Sequence, residues 1–283
     1  MEEINRSFYT WLHYGTELLA AKGIREPETD AWILLSYSAN IDRTFYSLHS
    51  RESMDLKDAH QYYDLLLKRA ARIPVQYLTH EAWFYGNCFY VNPSVLIPRQ
   101  DTETLVERAE LLISPGMRIL DLCTGSGCIL LTLLKRHSIT GVGTDISEEA
   151  LEIARENQER IRISSAQVNW IQSDLFDDVG GEFDMITANP PYIAANEIKT
   201  LDPEVRDHEP VLALDGDVDG LRYEYRIAEL ARIHLKVGGW LLEEIGYDQG
   251  AAMKNKLEEL GYQDVEIIRD LGGNDRVAVG RMV

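Results

Sequence analysis

The run Arg118-Ile-Leu-Asp121-Leu-Cys123-Thr-Gly125-Ser-Gly127-Cys-Ile-Leu130 decides the fold. It sets a short apolar stretch, a glycine turn and an apolar stretch of helical character in succession. That is the order strand, tight turn, helix. Gly125 and Gly127 let the backbone turn sharply and approach a ligand closely. The third glycine of a G-x-G-x-x-G pattern is missing, because Leu130 stands in its place.

Working outward, the same alternation recurs. Short apolar runs occupy 118–122, 140–144, 168–172, 183–188, 240–243, 265–268 and 277–279, and helical stretches at 128–136, 148–160, 220–234 and 247–260 separate most of them. Such alternation predicts parallel βαβ units: an α/β, Rossmann-like doubly wound sheet. Ligands in such sheets bind at the carboxyl ends of the strands. Towards the N-terminus the pattern changes. Phe8, Trp11, Leu12, Leu18 and Leu19, then Trp32–Leu35, then Tyr62–Leu67 form apolar stripes with polar intervals, which predict a small helical bundle over 1–75. Residues 82–91, built around Gly86-Asn87, predict a hairpin, so 76–96 is expected to be a two-stranded linker and 97–283 the sheet domain that carries the site.

The chain has 283 residues, with 28 Lys or Arg against 47 Asp or Glu, a formal charge of −19. Residues 1–80 hold 9 basic and 11 acidic side chains, a balance of −2; residues 81–283 hold 19 and 36, a balance of −17. Broad binding to a nucleic-acid backbone needs the opposite sign. No apolar run is long enough to predict a membrane span, and the acidic Met1–Asn5 stretch does not resemble a secretory leader. Three cysteines, Cys88, Cys123 and Cys128, predict a reducing, cytoplasmic setting and no metal site.

Two acids flank the glycine turn. Asp145 closes the second strand in Gly141-Val-Gly-Thr-Asp145-Ile-Ser147, where a carboxylate can accept from both hydroxyls of a ribose; Ser147 is then left to cap the following helix. Asp174 and Leu175, after the third strand, are placed to meet a base, one by hydrogen bonding and one by packing. A nucleoside ligand follows, either a dinucleotide or S-adenosylmethionine. The incomplete glycine pattern and Asp121 just before the turn disfavour a pyrophosphate and suit a cationic ligand.

Ile186-Thr-Ala-Asn189-Pro190-Pro191-Tyr192-Ile193 follows the fourth strand. The two prolines fix φ and remove N–H groups, leaving carbonyls as exposed acceptors on a stiff loop. The Asn189 side-chain oxygen and the Pro190 carbonyl can hold both N–H bonds of a planar amide or aromatic amine, and Tyr192 can stack on it. This is catalysis by position and electrostatics, without a strong general base. Asn189 lies where cofactor and substrate meet and is expected to touch both.

With these residues in place, the chain resembles the release factor glutamine methyltransferase family along nearly its full length. The resemblance runs through Ile73-Pro-Val-Gln-Tyr-Leu78, Phe84-Tyr-Gly86, Val95-Leu-Ile-Pro-Arg99-Gln-Asp-Thr-Glu103, Asp121–Gly127, Asn189–Ile193, Glu209-Pro210 and Glu244–Gly250. It implies methyl transfer from S-adenosylmethionine, with S-adenosylhomocysteine as product, to N5 of the glutamine in the Gly-Gly-Gln motif of class 1 peptide chain release factors. It places the cofactor on Cys123, Thr124, Gly125, Ser126 and Gly127, the ribose on Asp145, the adenine by Leu175, and the glutamine on Asn189–Tyr192. The N-terminal helices would recognise the substrate. Two departures stand out. Cys123 occupies a position that is often Gly, and Asp215–Gly220 replaces a common Gly-Gly pair. Arg99 and Glu103 have no derivable role beyond salt bridges. The same acceptor loop also suits an adenine N6-methyltransferase acting on a flipped base, but no basic recognition segment accompanies it. A sensor of the cofactor without chemistry would not need the acceptor loop.

Overall fold

A computed structural model describes residues 6–283; the Met1–Asn5 stretch read above lies outside them. Two compact units emerge: Met1–His80 with Asp202–His208, and Glu81–Leu201 with Glu209–Val283.

The smaller unit is helical, with α1 (Phe8–Ala21), α2 (Pro27–Ala39), α3 (Arg43–His49), α4 (Leu56–Ala70) and α5 (Val75–Thr79). Local chemistry starts these helices. Ser7 caps α1 by accepting from the Thr10 N–H, Pro27 opens α2, and Asp55 caps α4 through the Lys57 N–H at 2.8 Å. Phe8, Trp11, Leu19, Leu34, Leu35, Tyr62 and Leu66 share one core. A side chain at Gly15 would overlap the Tyr62 hydroxyl, so that glycine lets α1 and α4 pack closely. A buried ion pair, Arg69 Nε to Asp30 at 2.6 Å, joins α4 to α2. Burial still holds the Asp30 carboxyl above its ordinary pKa, opposed by Arg69.

Residues 76–79 are helical rather than extended. Pro74 ends one helix but also sits at the N-cap of α5. The hairpin follows as β1 (Glu81–Phe84) and β2 (Asn87–Tyr90) and groups with the larger unit. Its turn is Tyr85-Gly86, one residue earlier than expected, with φ of 49° and 74°. Asn87 is the first residue of β2. A tyrosine in left-handed backbone is costly. Here its N–H donates to Glu103 (2.7 Å) and its hydroxyl to Glu110 (2.9 Å), which gives Glu103 a role the sequence did not supply.

The rest of the larger unit runs α6 (Glu103–Glu110), β3 (Arg118–Leu122), α7 (Cys128–Arg136), β4 (Thr140–Asp145), α8 (Glu148–Ile161), β5 (Val168–Gln172) and β6 (Phe183–Ala188). A helical turn, α9 (Pro203–Arg206), belongs to the smaller unit. The chain closes with α10 (Arg222–Ala231), β7 (Leu235–Glu244), α11 (Gly250–Glu259), β8 (Gln263–Arg269) and β9 (Asp275–Arg281). The strands form one seven-stranded sheet in the order β5-β4-β3-β6-β7-β9-β8. The order reverses next to β3, where β4 lies on one side and β6 on the other, and a crevice opens at such a switch point.

The sheet is not wholly parallel. β9 pairs antiparallel with both β7 and β8. The reason is the short link from Arg269 to Asp275, which is far too brief for a parallel crossover. Apolar clusters cover both faces: Ile129, Leu130, Leu133 and Leu134 of α7 on one, Ile227, Ala228, Met253 and Leu257 of α10 and α11 on the other. Among the described residues no helix is long and apolar enough to cross a membrane.

Candidate active site

A cavity of about 400 Å³ opens at the carboxyl ends of β3, β4, β5 and β6. Its walls include Pro98, Arg99 and Thr102, Cys123–Ser126, Asp145, Asp174 and Leu175, and Asn189 and Pro191. The fold therefore brings together at one cavity segments that lie far apart in the chain, from Ser94 to Tyr223.

The first wall is made by the β3–α7 turn. Thr124 N–H donates to the Thr144 carbonyl (2.9 Å) and Gly127 N–H to the Thr124 carbonyl (2.8 Å). Cys123, Gly125 and Gly127 all have positive φ (52°, 53° and 77°). Gly125 suits this; for Cys123 it is a strained conformation. Gly127 does not line the cavity. It stands at the N-cap of α7, where a Cβ would press on Leu131 and Trp170 at 3.0 and 3.1 Å. Burial, with Asp145, Asp121 and Glu224 around it, pushes the Cys123 thiol well up.

Asp121 is fully buried behind this turn instead of facing the cavity. It accepts from Thr124 Oγ1 (2.5 Å) and Thr187 Oγ1 (2.6 Å). Burial raises its carboxyl to about 6 against those two hydrogen bonds. Asp121 therefore pins the turn through these two hydroxyls and is not part of the cavity lining.

Asp145 does face the cavity. One carboxylate oxygen accepts from Gly125 N–H (2.9 Å), the other from Ser147 N–H (3.0 Å). The Ile146 N–H also faces this carboxylate, and its remaining acceptor capacity is open to hydroxyl donors in the cavity. Burial raises its pKa, opposed by those backbone donors. Ser147 caps α8 through the Ala150 N–H at 3.1 Å. Asp174 is partly taken up by Arg226 (2.7 Å). Leu175 is buried with φ 52° and gives an apolar face.

The neighbouring wall comes from the Asn189–Tyr192 loop, through Asn189 and Pro191. Asn189 Nδ2 donates to Thr102 Oγ1 at 3.4 Å. Neither Pro190 nor Tyr192 lines the cavity. Tyr192 instead donates its hydroxyl to Glu244 (3.1 Å), and burial beside that acid holds the phenol protonated. The structure therefore corrects the expected stacking role: Tyr192 anchors the loop. Its carbonyl accepts from Gln249 Nε2 (3.1 Å), which also reaches the Gly220 carbonyl (2.9 Å). Ile193 pairs with Asp215, and a Cβ on Gly216 would come within 2.8 Å of the Pro191 carbonyl oxygen. Gly216 and Gly220 thus let Asp215–Gly220 lie directly on the acceptor loop, which is what this departure from the family pattern does.

Arg99 is paired with the buried Glu209, which also accepts from Ile97 N–H at 3.4 Å. The pair fixes the Pro98-Arg99 wall. Thr102, Glu209, Glu244 and Gln249 carry the wall chemistry that the sequence reading missed. The signal for Glu244 was an ionisable residue ending an apolar strand at the sheet's carboxyl edge.

This geometry stands beside clear kinship. Residues 10–79 match the family described as "PrmC N-terminal domain" and residues 100–216 match "Methyltransferase small domain". A release factor glutamine methyltransferase from Cereibacter sphaeroides is 42% identical over 93% of this chain and 94% of its own length. One from Geobacter sulfurreducens is 36% identical over 93% of each. The chain belongs to the release factor glutamine methyltransferase family. Among solved structures, a methyltransferase from Pyrococcus furiosus superposes with a TM-score of 0.53 at 20% identity, over 70% of this chain and 90% of that one, and so shares the fold. Cys123–Ser126, Asp145, Leu175 and Asn189 all line this one cavity, with Asn189 following β6 beside Cys123 at the end of β3.

Proposed function

We propose that this enzyme transfers a methyl group from S-adenosylmethionine to the N5 nitrogen of the glutamine in the Gly-Gly-Gln motif of class 1 peptide chain release factors, in the cytoplasm and without contacting nucleic acid directly. One observation carries the reading: Asn189 and Pro191 of the Asn-Pro-Pro-Tyr loop and the Asp145 carboxylate at the end of β4 line the same cavity.

The donor set fits the cofactor. Asp145 keeps acceptor capacity for ribose hydroxyls, and Leu175 packs against a flat base. Gly125, with φ 53° and open space where a Cβ would stand, lets backbone approach a ligand. When bound, S-adenosylmethionine supplies an electrophilic methyl on a sulfonium. Asn189, on the cavity wall, accepts one N–H bond of the glutamine amide through Oδ1. This holds the nitrogen in line and favours its loss of planarity as the lone pair engages. As the nitrogen gains the methyl, the methyl–sulfur bond breaks with its electron pair left on sulfur, and one N–H proton passes to solvent water. Gln249 and Glu244 keep the loop from recoiling.

The charge of −17 over residues 81–283 complements a basic partner domain, as expected of one that works against RNA, and opposes duplex DNA. The test is direct. The enzyme is incubated with labelled S-adenosylmethionine and a purified release factor, and the modified peptide is mapped by mass spectrometry. Label on the Gly-Gly-Gln glutamine is expected. Label on adenine in DNA, with none on the factor, overturns the reading.

A further inference from the structure

We propose that Leu212, with Val211 beside it, is the apolar lip on which the release factor's main chain docks around the reactive glutamine. The inference deepens the proposed reading and rests on Asn189 as the point that the glutamine amide reaches.

Val211–Ala213 is one turn of 3-10 helix, entered through Pro210 and without a buried residue. Pro210, Leu212 and Ala213 line the cavity. Yet the Val211 and Leu212 side chains stay 55% and 54% exposed and join neither apolar cluster of the sheet. A residue that lines a cavity and also faces solvent stands at its mouth. Ile146, the other exposed apolar side chain of the lining, adjoins Asp145 and so belongs with the ribose in the proposed reading.

The turn is fixed at both ends. Before it, the buried Glu209 pairs with Arg99 and accepts from the Ile97 N–H at 3.4 Å. After it, the carbonyl of buried Leu214 accepts from the Ile193 N–H at 3.0 Å, and the Gly216 N–H donates to the Ile193 carbonyl at 2.9 Å. Within it, the Val211 carbonyl accepts from the N–H groups of Leu214 and Asp215, both at 3.0 Å. The lip is therefore tied to the loop that carries Asn189, and its backbone is not free to fold the two apolar side chains inward. Apolar surface held open beside a binding site marks a place where a partner excludes water.

The occupant follows from reach. A glutamine amide nitrogen lies four bonds, about 5 Å, from its own Cα. With that amide at Asn189, the substrate's main chain must cross the mouth close to the acceptor loop, where this lip stands. In a Gly-Gly-Gln segment the two preceding residues carry no side chains. Bare main chain can lie flat on Leu212 and Val211, whereas larger side chains would hold it off. The lip thus adds a short-range apolar contact to a partner drawn in by charge.

Leu212→Ser, Leu212→Asp and Leu212→Met are compared, with Val237→Asp as a control. Val237 is equally apolar and exposed but lies near the start of β7, at the amino edge of the sheet. Measured for each are KM and kcat on a purified release factor, the dissociation constant of S-adenosylhomocysteine by calorimetry, and Tm. For Leu212→Ser we expect KM to rise about five- to twentyfold, the scale of burying half or more of a leucine side chain. kcat and S-adenosylhomocysteine affinity should stay within about twofold, the pattern of lost uniform binding. Tm should move by less than about 2 °C, as for an exposed site. Leu212→Asp should raise KM further, although an added negative charge would tighten a purely electrostatic attraction to a basic partner. Leu212→Met should stay near wild type, and so should Val237→Asp. The proposal is overturned if Ser and Asp leave KM unchanged, if Asp lowers it, if S-adenosylhomocysteine affinity falls together with KM, or if Met is as defective as Ser. An equal rise in Val237→Asp overturns it too. Wild-type enzyme that puts no methyl on the motif glutamine sinks the proposed function itself; wild type that does so, with Leu212→Asp normal in KM, sinks only the lip.

Discussion

The two walls of the cavity hold their shape in opposite ways. The wall that receives the cofactor in our reading is shaped by local backbone: Cys123, Gly125 and Leu175 all sit at positive φ, and Asp145 is gripped by N–H groups two and twenty residues away. On the acceptor wall, residues 189–195 have no positive φ. That loop is braced from a distance, by Glu244, Gln249 and Thr102, which lie 52, 57 and 87 residues off in sequence. The first wall stores strain, and the second wall is relaxed but depends on remote partners.

If the walls are that distinct, removing one side chain from each should give opposite kinetic signatures. Asn189→Ala should cut kcat by about a hundred- to a thousandfold with cofactor affinity nearly unchanged. Asp145→Ala should weaken cofactor binding about ten- to a hundredfold, the scale of charge-assisted hydrogen bonds, with kcat at saturation far less affected. Calorimetry and single-turnover rates read both, and the reverse pattern would exchange the assignments of the walls.

A second probe concerns the electrostatic burden behind the cofactor wall. Glu224 on α10 is buried, neither carboxylate oxygen has a hydrogen-bond partner, and burial lifts its pKa from 4.5 to about 8. The folded protein therefore keeps a proton that the unfolded chain releases near pH 4.5. Stability contributed by this group is present below that value and is lost as pH rises towards about 8. Glu224→Gln should flatten the fall in unfolding free energy between pH 5 and pH 8 by about 2 kcal/mol or more, measured by urea titration at each pH. An unchanged slope would mean that the carboxyl finds a partner in solution.

The smallest effect tests the strain itself. Cys123→Gly should relieve the left-handed conformation and stabilise the protein by about 1 kcal/mol, raising Tm by roughly 2–4 °C. A lower Tm would show that the thiol's packing outweighs the backbone cost.

The same contrast explains what could be read in advance. The strands and helices of the larger unit were legible because periodicity and glycine turns are local signals. The cofactor wall was legible for the same reason: its turn, its acid and its apolar residue each follow a strand directly. The β1–β2 turn was misplaced by one residue because Asn87 is a stronger left-handed former than Tyr85, and only the contacts to Glu103 and Glu110 reverse that preference. The orientation of β9 depended on the shortness of its link to β8. Thr102 and Gln249 are out of reach of a local reading because nothing within a few residues of Asn189 points to them, and Glu244 shows itself only as an ionisable residue ending an apolar strand. Pro190 and Tyr192 were named from the motif, but the buried acid that claims the Tyr192 hydroxyl lies on another strand.

One feature of the smaller unit bears on how the protein is made. Arg69 binds Glu204 at 3.0 Å and Arg72 binds the same carboxylate at 3.1 Å, across 135 and 132 residues of intervening chain. On a translating ribosome the helices up to His80 emerge long before that carboxylate exists. At about 5–20 residues per second the two arginines wait on the order of 10 seconds for it. Vectorial synthesis therefore delivers a helical bundle that is complete in length but unfinished in charge, and the segment that finishes it arrives between the acceptor loop and Glu209.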